Sequence, residues 1–153
     1  MEMAEGSQFQ GYLVGQVIAS SVGVLLLVLE DFAGFYYYDF YNHIAVYGYI
    51  YLGSGVLPTI LTLLGVGGLL VALQASIKSL QTRDASPALL KENAQKSIKG
   101  AGFTAALAFV SAVVFILSSY ETDWWLGSGF YGAFVGGLLT VFFGRQMLDK
   151  MAG

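Results

Sequence analysis

Residues 10–29 read QGYLVGQVIASSVGVLLLVL, twenty positions without Asp, Glu, Lys, Arg or His. As a helix rising about 1.5 Å per residue, such a run extends about 30 Å, the thickness of a hydrocarbon core. The run also spaces small residues four apart, at Gly11, Gly15, Ala19 and Gly23. At about 3.6 residues per turn these form a lean groove down one helix face. Helices in lipid gain little from hiding apolar surface, so they associate by close backbone approach across such grooves. The residues ahead of the run, MEMAEGSQF, contain no basic residue. A cleavable signal needs one there, so the run is expected to stay in the mature protein.

Three further charge-free stretches follow, at about 55–77, 100–119 and 126–144. Only 11% of the chain is charged and its mean hydropathy is +0.67, whereas soluble domains carry about a quarter charged residues. The expectation is an all-α integral membrane protein, one domain over 1–153 built as a four-transmembrane-helix bundle. Its outer loops are 30–54 and 120–125, and its cytoplasmic loop is 78–99. Basic residues keep to the cytoplasmic side. Lys78, Arg83, Lys91, Lys96 and Lys99 fall between spans two and three, and Arg145 and Lys150 follow span four. Both termini are therefore expected in the cytoplasm, with Glu30, Asp31, Asp39, Glu121 and Asp123 facing outward from the cell membrane.

In the middle loop, Ser86 and Pro87 make an N-cap and first-turn pair. Glu92 and Lys96 have favourable i,i+4 spacing, so span three should begin early and project into the cytoplasm. Span four repeats the lean pattern at Gly132, Gly136, Thr140 and Gly144, span two offers Gly65, Gly68, Ala72 and Ala75, and span three offers Ala101, Ala105, Ala108 and Ala112. These faces can be used inside one bundle or against another subunit or copy. The tetrapeptide LGSG recurs at 52–55 and 126–129 and reads as a repeated loop-to-helix junction.

The first outer loop holds most of the tyrosines, among them Tyr36, Tyr37, Tyr38, Tyr47, Tyr49 and Tyr51, and the second holds Trp124 and Trp125. Tyr and Trp collect where membrane meets water, so an aromatic belt accounts for much of this. Tyr47, Tyr49 and Tyr51 also alternate, which is strand periodicity. A small β-hairpin turning near Asp39 to Asn42 is the corresponding reading, with an aromatic face suited to a protein partner. The only histidine, His43, rules out bis-histidine haem ligation within one chain. His43 with the outer acids could meet a hard cation, but no ligand spacing supports it, and neither metal nor cofactor is expected.

The polar residues within the spans include Gln16, Ser20, Ser21, Thr59, Thr62, Gln74, Thr104 and Thr140. Gln16 and Gln74 fall at similar depth and read as a hydrogen-bonded intramembrane pair. No ionisable residue lies at depth, which argues against proton relays, voltage sensors and ion-coupled carriers. Cysteine is absent, and no hydrolase, zinc-protease or nucleotide-binding motif occurs. Catalysis is not expected, nor is nucleic-acid binding.

Four spans with cytoplasmic ends and a larger first outer loop resemble the layout of claudin-like and tetraspan proteins. The cysteines and the tryptophan-glycine-leucine-tryptophan signature of claudins are missing, so the likeness is one of layout and implies no family. The leading functional expectation is a non-catalytic structural or accessory subunit of a membrane complex, surrounded by lipid and packing through its small-residue faces against other subunits or copies of itself. One alternative is a homo-oligomeric cation pore with an acidic mouth, lined by Thr59 and Thr62. Another is lipid or quinone binding at the aromatic outer cleft.

Overall fold

The computed structural model describes residues 3–82 and 86–152, with side chains from residue 9 onward. Arg83, counted above among the basic residues of the middle loop, lies outside the described residues. In chain order the elements are α1 (Met3–Leu29), β1 (Ala33–Asp39), β2 (Ile44–Ile50), α2 (Val56–Gln81), α3 (Pro87–Ser118), β3 (Asp123–Leu126) and α4 (Ser128–Ala152). The helices close into a ring in which α1 packs on α2 and α4, and α3 packs on α2 and α4. Three of them, α1 over Phe9–Leu29, α2 and α3, are long and apolar enough to cross a membrane.

The fourth helix of the expected four-helix bundle is shorter and less apolar than these three. At 25 residues α4 is the shortest helix, and it is not among the three apolar enough to cross. Gly129, Gly132, Gly136, Gly137, Thr140 and Gly144 dilute its hydropathy, and from Arg145 onward it is charged. The stretch placed at 126–144 also begins in β3, and the helix runs on past it to Ala152.

The start of α3 matches its reading. Ser86 accepts a hydrogen bond from the Leu89 N–H at 3.3 Å, Pro87 occupies the first turn, and Lys96 pairs with Glu92 at 2.7 Å. The helix then runs for 32 residues.

Residues between the helices at one end form a three-stranded antiparallel sheet, ordered β2-β1-β3. The hairpin is in register with Tyr36 opposite Tyr47 and Ala33 opposite Ile50. The second outer loop, read only as an aromatic rim, supplies β3, with Trp125 opposite Gly34. Backbone bonds join the sheet to the helix ends: Phe32 N–H to the Ile50 carbonyl, Gly127 N–H to that of Phe32, and Gly129 N–H to that of Asp31. The two LGSG segments therefore differ. The second docks on residues 31–32, whereas the first closes on itself through Ser54 and Tyr51, with Gly53 at φ 96°.

The interior is built mainly from small side chains, including Ala19, Ala72, Ala101, Ala105, Ala108 and Ala133. Larger ones such as Ile18, Leu25, Leu63, Val71, Phe109, Leu117 and Phe142 point outward. Soluble monomers rarely expose contiguous apolar surface of this kind, and close small-residue packing beneath it is the pattern of helices in lipid.

Candidate functional site

The lean faces of α1 and α4 meet each other. A methyl group added at Gly136 would lie 2.9 Å from the Ala19 carbonyl oxygen, and one at Gly23 would lie 2.8 Å from that of Gly132. Gly15 lies under the Phe143 ring. Deeper in the seam the Thr140 hydroxyl donates to the Gly136 carbonyl at 2.8 Å, and the Ser20 hydroxyl lies 3.1 Å from the Thr140 oxygen. Gly144 turns instead toward Ile98 of α3, and Gly11 has no neighbour. Gly15, Ala19, Gly23, Gly132, Gly136 and Thr140 thus form an internal seam. Closing the ring brings the first and last helices together, so these small-residue faces lie against each other.

The pairing of Gln16 with Gln74 does not occur. Gln16 is fully buried, and its Oε1 accepts from Ser97 Oγ at 2.6 Å and from Ser76 Oγ at 2.9 Å. Gln74 is exposed beside Leu70, Leu73, Ile77 and Lys78. Ser76 and Gln74 are two residues apart, about 200° around the helix, so only one of them can face α1. Asn93 adds a bond to Ser79 at 3.1 Å one turn nearer the helix ends. Three helices therefore share a polar node that the two-glutamine reading missed. The available signal is the spacing of Ser76 with Ser79 and of Asn93 with Ser97, which places each pair on one helix face. Gln16 Nε2 has no partner among the described residues.

Toward the sheet, α2 and α3 separate. They touch closely where Gly68 meets Gly100 and where the Thr104 hydroxyl donates to the Gly65 carbonyl at 2.7 Å. Above that level lies a cavity of about 420 Å³. Leu27 and Ala133 form its inner wall, and Phe32 and Ile50 from the base of the sheet form its roof. Among the described residues no Asp, Glu, Lys, Arg or His lines it. Of the two threonines considered for a pore, Thr62 lines this cavity, while the Thr59 hydroxyl accepts from the Gly53 N–H.

The outer aromatics divide by strand alternation. Tyr36, Tyr47, Tyr49 and Trp125 share one face, with Tyr36 and Tyr47 ring centroids 4.8 Å apart and Tyr49 edge-on to Trp125 at 5.7 Å. Trp125 covers Gly34, and on the other face Phe35 covers Gly48. Each aromatic sits opposite a glycine whose missing side chain makes room for the ring. Tyr37 and Trp124 are on that second face, exposed, and Tyr38 packs edge-on to Phe40. Tyr41 at the hairpin tip is 98% exposed, Tyr47 is 62% exposed, and Tyr51 beyond the strand is also open.

The acids spread over this end. Asp39 Oδ1 accepts from the Tyr41 and Asn42 N–H groups, and Oδ2 accepts from the Asn42 side-chain amide at 2.7 Å. These bonds, the Asn42 amide foremost, hold the Asp39 carboxyl below its ordinary pKa. His43 completes the turn at φ 55°. Glu121 accepts from the Tyr120 hydroxyl at 2.7 Å, which raises the phenol above its usual value. Glu30 and Asp123 are exposed, and Asp31 is half-buried. Among the described residues no three His, Asp or Glu side chains converge as a metal site would require. Comparison with family models, curated proteins and solved structures finds no match to the chain.

Proposed function

We propose that this protein is a non-catalytic accessory subunit of a complex in the cell membrane, crossing the bilayer four times and meeting its partner through the outer sheet. Support for the fourth span comes from the sidedness of α4. Val135, Leu138, Leu139 and Phe142 are exposed, while Gly132, Ala133, Gly137 and Thr140 are buried. Support for cytoplasmic termini comes from charge. Lys78, Lys91, Lys96, Lys99, Arg145 and Lys150 all lie toward the end of the bundle opposite the sheet, as the positive-inside rule requires.

The observation that carries the accessory role is the exposed aromatic surface on a sheet whose β2 edge is unpaired. Aromatic residues dominate binding hot spots, and an open strand edge can accept another strand. With the α1 and α4 grooves closed on each other, contact with other subunits is reassigned from the helix faces to this sheet. The test is extraction from the native membrane in mild detergent, with particle mass and composition measured for wild type and for the Tyr47→Ser, Tyr49→Ser double variant. Wild type should travel in a larger complex that the variant leaves. A wild-type chain found alone, or an unchanged complex in the variant, contradicts the proposal.

A further inference from the structure

The cavity between α2 and α3 extends along the helices. Its lining on α3 runs from Thr104 to Ser118, about 21 Å of helix at about 1.5 Å per residue. Its volume is about 420 Å³, and that length is commensurate with an acyl chain lying along the helix. Its rim residues Leu57, Val110 and Val114 are exposed, so it opens sideways, between two helices apolar enough to lie in the bilayer. Water has little to bind there, because an apolar cavity stays dry unless several polar groups converge. Of the four hydroxyls in the lining, Thr104 donates to the Gly65 carbonyl and Ser118 to the Val114 carbonyl, which leaves Thr62 and Ser111. Thr62 is only 8% exposed, and neither its hydroxyl nor that of Ser111 has a hydrogen-bond partner among the described residues.

From this geometry we infer that the cavity is a lateral binding site for one acyl chain of a bilayer glycerolipid. The chain enters between α2 and α3 and lies along α3. The headgroup stays at the level of the sheet base, where Phe32 and Ile50 form the roof, and Thr62 or Ser111 donates to an ester oxygen that reaches the mouth. A quinone ring fits the lining less well, since no charged, histidine or amide side chain is present to fix its two carbonyl oxygens. The inference rests on the helices crossing a membrane and is independent of the partner assigned to the sheet.

Native mass spectrometry of the purified chain, released from mild detergent, tests it directly. Wild type should retain a single adduct whose fragmentation gives a glycerolipid. Ser111→Trp fills the cavity and should abolish the adduct. Val113→Trp, on the exposed side of the same helix at similar depth, should keep it. Ala108→Leu, a smaller filling, should also weaken retention and keeps the test valid if S111W does not fold. Wild type without an adduct, equal retention in both filling variants and the control, or a quinone in place of the glycerolipid would each overturn the assignment.

Discussion

Gln16 illustrates how one polar side chain is accommodated in an apolar bundle. Its oxygen accepts two serine hydroxyls and its amide nitrogen is left without a partner. The Ser76 hydroxyl also lies 2.9 Å from the Ala72 carbonyl, an alternative acceptor on its own helix. Interhelical hydrogen bonds in membranes are worth about 1 kcal/mol, and removing the orphan nitrogen offsets part of their loss. Gln16→Met is therefore expected to change stability by no more than about 1 kcal/mol in reversible unfolding from micelles. Gly136→Leu should behave very differently, because its side chain would enter the Ala19 backbone. Overpacking of that kind costs about 1–3 kcal/mol or more, so the same assay should show a marked loss for the isolated chain. Small-residue spacing made the seam legible in the sequence. Which face of α2 turns inward was not, since both Gln74 and Ser76 look eligible until the helix is rotated into its neighbours.

Among the elements, the sheet depends on local turn chemistry and on aromatic cover. The ionised Asp39 carboxylate caps the hairpin turn, and its pKa is lower folded than unfolded. Its contribution is complete above the ordinary carboxylate pKa and disappears as pH falls through the lower folded value. Hydrogen-exchange protection of β1 and β2 should accordingly weaken as pH falls below the ordinary carboxylate range, and Asp39→Ala should remove that pH dependence. Trp125→Ala exposes Gly34 and should release β3, with loss of protection across the β1–β3 ladder while the β1–β2 ladder survives. The hairpin was readable from the alternation of Tyr47, Tyr49 and Tyr51. β3 was not, because four residues, Asp123 to Leu126, are too short to show a period and two tryptophans fit a membrane rim equally well.

At the scale of the molecule, the chain separates its chemistry by level. Aromatic strands and five of the ten acids occupy one end, an apolar belt surrounds a lean interior, and the lysines gather at the other end. Runs without charge made the belt legible. The cavity was invisible in sequence because it arises where α2 and α3 part, which no single run records. The proposed four-span topology requires α4 to carry the chain back across the bilayer. The natural chain has no cysteine, so single cysteines can be introduced as reporters at Tyr41, Ala88 and Ala152, and labelled in intact cells with a membrane-impermeant maleimide. The account predicts labelling of Tyr41→Cys alone, with Ala88→Cys and Ala152→Cys reacting only after permeabilisation. Labelling of Ala152→Cys together with Tyr41→Cys in intact cells would place the C-terminus on the outer side and contradict the fourth span.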